Sequence, residues 1–370
     1  MRPSWIEVDL DAIAHNVRLI VEEVADATLC AVVKADGYGH GDVPVAEAAL
    51  SGGATSLAVA LVEEAVRLRD AGIDAPILVL SEPDVADAPE MVARRLIPTI
   101  YRAEFAAALA AAADGPVSVH IKVDTGMHRV GASPEDVPAL VESVRAEPKL
   151  ELEGLWTHFA VAEDDAEYTK RQMATFHEVH ATIAASGDAV PLLHAANTAG
   201  ALLFPEARLD MVRVGLGIYG LRPAPGVAAH LDLRPAMRVV SEVSMVRRLE
   251  AGERPSYGRR RALSSSAMIA TVPLGYADGI RRRLSDEGRV LIGGESRRLA
   301  GTVTMDQIVV DMGDAPVAVG DEVVVIGTQG AATVTADDWA DLLGTINYEV
   351  VCGFGPRLPR RYVRGSGTGV

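Results

Sequence analysis

Short β-type apolar runs alternate with alanine-rich helical stretches through the first part of this chain, and that rhythm leaves few folds open. The runs fall near residues 29–35, 56–62, 76–81, 97–102, 117–125, 151–159, 191–196 and 211–219. Helical patterns such as 61–71, 103–113 and 135–146 lie between them. Another precedes them at 11–25, where Ile13, Val17, Ile20, Val21 and Val24 recur at helical spacing beside the cap candidates Asp9 and Asp11. Eight strand–helix units in about 220 residues predict an N-terminal (β/α)8 TIM-type barrel. A doubly wound open sheet is the alternative, but no Gly-x-Gly-x-x-Gly turn follows the first run.

The pattern changes after Arg222-Pro-Ala-Pro-Gly226. Alternating runs at 237–246, 266–272, 290–292, 307–312 and 322–327, punctuated by Gly-Glu, Gly-Asp and Gly-Gly, predict a mainly β domain. One helix is expected at 335–343 with Thr335 as its cap, and the tail 365–370 reads as flexible. The expected division is therefore 1–228 for the barrel and 229–370 for the β domain. A chain 49% hydrophobic can bury a large core, and a net charge of −16 argues against nucleic-acid binding. The first residues carry acids early and resemble no signal peptide, and no segment stays apolar long enough to span a bilayer. Cys30 and Cys352 have neither metal nor redox spacing and read as two buried thiols in the cytoplasm, with no metal site implied.

In a barrel of this kind, functional side chains project from the carboxyl ends of the strands. The first run, Cys30-Ala-Val-Val-Lys34, ends in a lysine and breaks into Ala-Asp-Gly-Tyr38-Gly-His40-Gly. That lysine either snorkels to solvent or serves chemistry such as Schiff-base formation with pyridoxal phosphate. In the fifth run, Val117, Val119, Ile121 and Val123 alternate with Ser118, His120, Lys122 and Asp124, so the polar set points into the barrel mouth. Arg129, beyond a glycine turn, has the fork geometry for a substrate carboxylate. Trp156-Thr-His158, His194-Ala-Ala-Asn197-Thr198 and Arg213-Val-Gly215-Leu216 end the last three runs, and the loops after the last two are where barrels commonly bind phosphate. Taken singly, each is weak; a lone His158 is more often a satisfied buried histidine.

With these motifs in place, the chain resembles the bacterial alanine racemases, fold-type III pyridoxal phosphate enzymes. The resemblance runs nearly end to end. It rests on Lys34-Ala-Asp-Gly-Tyr38-Gly-His, Lys122-Val-Asp-Thr-Gly-Met-His-Arg129, Arg213-Val-Gly-Leu-Gly-Ile-Tyr219, Pro255-Ser-Tyr257-Gly, Gly275-Tyr276-Ala-Asp-Gly, Met305-Asp306-Gln307 and Tyr348-Glu349. It implies Lys34 as Schiff-base lysine and one catalytic base, with Tyr257 of a second subunit as the other. Arg213 is implied at the pyridine nitrogen, His158 between Arg213 and Tyr257, and Trp156 among the cofactor contacts. Tyr38, Thr198, Gly215, Leu216 and Tyr348 would hold the phosphate, flanked by Asn197. Arg129 would take the substrate carboxylate, supported by Lys122, which is carbamylated in many members. Tyr276, Met305 and Asp306 of the second subunit would line the entrance. The implied protein is a cytoplasmic homodimer with composite sites, making D-alanine for peptidoglycan and binding neither nucleic acid nor membrane.

The chain departs from the family pattern in a few places. Thr198 stands where serine is usual, the segment after Tyr257 is unusually basic, and Cys352-Gly-Phe-Gly-Pro-Arg357 is looser than the common form. Three rival readings remain at this stage. A broader amino-acid racemase differs only in pocket size, a decarboxylase of the same fold generally presents an acid rather than Arg213, and a non-enzymatic pyridoxal-phosphate binder lacks the β domain.

Overall fold

The chain opens on a strand that the βα rhythm does not announce, β1 (Ser4–Asp9). Its Ile6 and Val8 are wholly buried, while Trp5, Glu7 and Asp9 are only half-buried. The helix Leu10–Val24 follows, burying Ile13, Val17, Ile20 and Val24 along one stripe. All eight expected runs are then strands: β2 (Thr28–Val32), β3 (Ser56–Val59), β4 (Ile77–Val79), β5 (Ile97–Ile100), β6 (Val117–Lys122), β7 (Leu150–Trp156), β8 (Leu192–His194) and β9 (Met211–Val214). They form one parallel sheet in the order β8-β7-β6-β5-β4-β3-β2-β9. Backbone bonds from Asp210 N–H to Leu193 O (3.1 Å) and from Arg213 N–H to Ala196 O (2.9 Å) join its two ends. This is the TIM-type barrel, and parallel closure brings the carboxyl ends of all eight strands to one mouth.

The computed structural model describes residues 2–187 and 189–365, which divide into two units. The barrel unit comprises Ala12–Gly37 and Asp42–Arg234. The other, mainly β, comprises Met1–Asp11, Tyr38–Gly41 and Pro235–Val370. Its strands are β1, β10 (Met237–Glu242), β11 (Met245–Leu249), β12 (Ala267–Val272), β13 (Arg289–Ile292), β14 (Glu295–Leu299), β15 (Ile308–Gly313), β16 (Glu322–Gln329), β17 (Ala332–Val334) and β18 (Arg360–Val363). The sheet runs β11-β12-β15-β14-β13-β16-β10-β1-β18, with β17 on β16.

Several expectations are corrected here. The run 237–246 is two strands, because Val243 N–H bonds to Asp321 O whereas Ser244 N–H bonds to Thr271 O, and the chain changes neighbours between them. The strands β14 and β18 escape an apolar-run reading because both are arginine-rich and largely exposed. Cys30 is buried but Cys352 is exposed. Cys352 ends the short helix Asn347–Cys352, which turns Val350 and Val351 inward instead. The Thr335 cap is present: its hydroxyl accepts Asp338 N–H at 3.0 Å, and Asp338 accepts Thr335 N–H at 2.7 Å. Apart from Gly365, the tail read as flexible lies outside the described residues. Among the described residues no helix is long and apolar enough to cross a membrane.

Candidate active site

Lys34 leaves β2 through a left-handed turn, not an open loop. Ala35 (φ 54°, ψ 51°), Asp36 (53°, 47°) and Gly37 (58°, 45°) are all left-handed, and Tyr38 follows at φ 53°. Each non-glycine residue there costs roughly 1–2 kcal/mol. The turn is held by Glu64, only 7% exposed, whose carboxylate accepts N–H groups from Ala35 (2.6 Å), Ala60 (2.8 Å) and Leu61 (3.1 Å). Asp36 Oδ1 also accepts Asp42 N–H at 3.2 Å. Glu64 was not among the candidate residues. Its place in the first turn of the helix Val62–Asp70 signals a helix cap, and only the fold shows that the same carboxylate orders the lysine's turn.

On the next strand over, Cys30 of β2 pairs with Arg213 of β9. Arg213 is 2% exposed; Nη1 donates to His194 Nδ1 (2.7 Å) and Nη2 to Thr157 O (2.7 Å), Ala195 O (2.9 Å) and His158 Nδ1 (3.3 Å). Among the described residues no acceptor takes its Nε–H, and no carboxylate pairs with it. Burial pulls the guanidinium down to about 10. Trp156 forms the floor beneath two cations, with Arg213 Cζ and Lys122 Nζ each 4.5 Å from its ring centroid. Lys122 is 4% exposed; burial, then repulsion from Arg213 and Arg129, lowers its amine to about 7. His158 is held well below the usual imidazole value by burial and by Arg213, Lys122, Arg129 and Lys34. Lys34, Lys122, Arg129, His158 and Arg213 thus share one electropositive mouth.

The loops after β8 and β9 meet there too. Thr198 Oγ1 accepts Gly217 N–H (3.4 Å), and a Cβ on Gly217 would lie 3.1 Å from the Thr198 methyl carbon. Leu216 follows Gly215 into a 3-10 turn, Leu216–Tyr219, whose buried Tyr219 hydroxyl donates to Val32 O at 3.0 Å. That bond ties this loop to the strand delivering Lys34, a positioning role that the motif alone does not reveal. Asn197 is occupied as a cap, accepting Gly200 N–H at 2.9 Å. Arg129 is exposed at the end of a loop shaped by Asp124, which accepts N–H groups from Gly126 (3.0 Å) and His128 (2.9 Å).

The remaining candidates belong to the β unit. Tyr38, buried, lies with its ring centroid 6.3 Å from that of Tyr348. Tyr257 is 75% exposed, but its backbone is fixed: Thr302 Oγ1 donates to Tyr257 O (2.7 Å), and Ser256 Oγ donates to Thr302 O (2.6 Å). Tyr276 and Met305 are exposed and adjacent, since Tyr276 N–H bonds Thr304 O (2.9 Å) and Ala277 N–H bonds Met305 O (3.1 Å). Asp306 pairs with Arg357 at 2.7 Å.

Comparison with known proteins gives this arrangement a family. Residues 8–223 match the alanine racemase N-terminal domain, and residues 236–362 match the C-terminal domain. A Symbiobacterium thermophilum protein named alanine racemase is 45% identical over 369 residues, covering 98% of this chain and 97% of that one. The crystal structure of alanine racemase from E. faecalis superposes with a TM-score of 0.93 at 38% identity, covering 98% of both chains. The chain belongs to the alanine racemase family.

A histidine racemase from Leuconostoc mesenteroides shares the fold as well, with a TM-score of 0.90, 30% identity and 98% coverage of both chains. An alanine racemase requires an amine, a cradle for a phosphate and a cation for a substrate carboxylate. The barrel mouth has the donor set for pyridoxal phosphate. Among the described residues no carboxylate pairs with Arg213 and no acceptor takes its Nε–H, and Gly217 keeps its backbone close to the Thr198 hydroxyl.

Proposed function

We propose that the protein interconverts L- and D-alanine using pyridoxal phosphate and two bases, Lys34 and the Tyr257 of a second copy. What carries this reading is Arg213, a buried donor without a carboxylate, on the strand beside the one that delivers Lys34. A decarboxylase of this fold generally has an acid in that role. When bound, pyridoxal phosphate supplies the electron sink that makes a substrate α-proton acidic. Racemisation takes that proton from one face and returns one to the other, so a base is needed on each side. Lys34 serves one face and Tyr257 the other. His158 accepts from Arg213 at Nδ1, so its proton is on Nε2, available to a phenol oxygen.

Arg129 holds the substrate carboxylate as a fork. Lys122 supports it after carbamylation: the neutral amine attacks CO2, an N–C bond forms and a proton leaves. A cation that repels Arg129 becomes an anion that attracts it. The amine's value of about 7 leaves a large neutral fraction for that reaction. Tyr38, Tyr348, Thr198 and the Gly215–Leu216 backbone hold the phosphate. Asn197 acts behind them as a cap, and Trp156 sets the positions of Lys122 and Arg213. Tyr276, Met305 and Asp306 of the second copy line the entrance. The product serves peptidoglycan synthesis in the cytoplasm.

Co-expression of a Lys34→Ala chain with a Tyr257→Ala chain tests the two-chain site directly. One working site per heterodimer should return, and no gain over either homodimer would sink the model. A second reading, a racemase of broader specificity, is favoured by the histidine racemase of the same fold. Chiral assays that found serine, lysine or histidine turned over as fast as alanine would replace the first reading with the second.

A further inference from the structure

Three titratable side chains inside the barrel are unused by the two-base scheme: His194, His120 and Glu153. Arg213 Nη1 stands 2.7 Å from His194 Nδ1, and a guanidinium can only donate. His194 Nδ1 is therefore a lone pair, and the ring's proton is on Nε2. That Nε2 is 3.0 Å from His120 Nδ1, which must accept in turn. The proton of His120 is thereby placed on its own Nε2, a buried atom with no hydrogen-bond partner in range. Glu153 Oε2 faces it at 3.6 Å. Both rings are buried, and burial with Arg213 behind it keeps His194 neutral, well below the usual imidazole value.

The backbone is shaped around this arrangement. Val119 pairs with Leu152 and His120 with Gly154, so Glu153 is the extra residue of a β-bulge, a device that re-aims a side chain. A Cβ on Gly154 would sit 2.7 Å from the His120 ring. Trp156 stacks on His194 at 5.5 Å between centroids and 10° between planes.

We infer that His194 and His120 form a directed hydrogen-bond relay, closed by the electrostatic contact of His120 with Glu153, that holds Arg213 as a fixed, protonated donor toward the cofactor. The inference rests on the role given to Arg213 above. All three are positioning residues, and none is assigned a contact with substrate or cofactor. Every proton in the relay points away from the mouth and toward Glu153, whose side chain is 43% exposed. A carboxylate with access to water stays ionised without heavy desolvation cost, while the buried middle of the relay consists of neutral rings. A carboxylate placed directly on Arg213 would cancel its charge at the site; at the end of two imidazoles it orients the guanidinium and leaves the charge in place.

Nitrogen-15 NMR of histidine-labelled holoenzyme, assigned with single-histidine variants, tests the relay. Both rings should be neutral with the proton on Nε2. Glu153→Gln keeps the shape and removes the charge. It should shift His120 toward mixed tautomers and lower kcat about tenfold while KM for alanine stays within about twofold, with Glu153→Asp restoring part of the loss. Gly154→Ala, which displaces the His120 ring, should reproduce the kcat loss with Glu153 intact. A proton on Nδ1 of either ring overturns the relay, as does a Glu153→Gln enzyme with unmoved histidine signals and unchanged kcat. If Glu153→Gln does not fold, the wild-type tautomers still decide. Failure of the wild type to racemise alanine would count against the proposed function, whereas the tautomer pattern judges the relay separately.

Discussion

In the barrel, Arg213 is 2% exposed and bonded through both terminal nitrogens; in the β unit, Tyr257 is 75% exposed and only its backbone is pinned. The contrast extends to their companions. Lys122 and Trp156 are buried against one another, while Tyr276 and Met305 stand out in solvent. The barrel pre-organises its half of the site through burial, at the expense of crowded cations. The β unit holds Tyr257 on a pinned backbone with its side chain in solvent, the disposition that the proposed two-chain site needs. Barrel substitutions should therefore change stability and activity together, and Tyr257 substitutions activity alone.

The sharpest way to break that contrast is Tyr257→Phe. Loss of one general base should lower kcat/KM by about 10²–10⁴-fold. The melting temperature should hardly move, since an exposed side chain contributes within about 0.5 kcal/mol. A large drop in melting temperature would mean that Tyr257 is a packing residue after all. Glu64→Ala should lower stability and activity together. It strands three backbone N–H groups and releases the left-handed turn, so denaturant unfolding should show a loss of about 3 kcal/mol, with activity falling as Lys34 loses its placement.

The cationic mouth also has a pH signature. The Lys122 amine is lowered in the folded state from 10.5 to about 7. Between those values the unfolded chain binds one more proton than the folded one, so stability rises with pH across that window. Below it both states are protonated and the penalty is constant. In CO2-free buffer, the wild type minus Lys122→Met should show that rise in stability, and a flat difference would mean that the amine is not held neutral. The smallest effect is expected for Thr198→Ser, which keeps the hydroxyl facing Gly217 and removes a single methyl, worth about 0.8 kcal/mol. Titration of apoenzyme with pyridoxal phosphate should give an affinity within about twofold of wild type.

The legible part of this protein is what depends on local pattern. Eight apolar runs at regular spacing gave eight barrel strands, and the polar alternation of 117–125 gave His120 and Lys122 inside the barrel. Short motifs in a fixed order carried the family resemblance, and both matching domains bear it out. The illegible part is what depends on neighbours far along the chain. β1 lies between β10 and β18, a pairing no local signal encodes. Cys352 was expected to be buried as cysteines commonly are, but the helix that ends there buries its valines instead. Glu64 reads as a helix cap from any sequence window, yet it also holds the turn after Lys34, 29 residues upstream for the Ala35 contact.

The sequence by itself determined where the eight barrel strands lie, which residue types end them, and that Lys34 and Tyr257 occupy separate units. Periodicity and residue chemistry are local, and they survive without coordinates. Tertiary structure alone decided that Tyr38 to Gly41 pack with the β unit while Lys34 stays with the barrel, so one short motif is shared between two units. It also decided the protonation of the inner histidines. A tautomer is fixed by whichever donor the fold places against the ring, and here that donor is Arg213, 19 residues from His194 in sequence but 2.7 Å away in space.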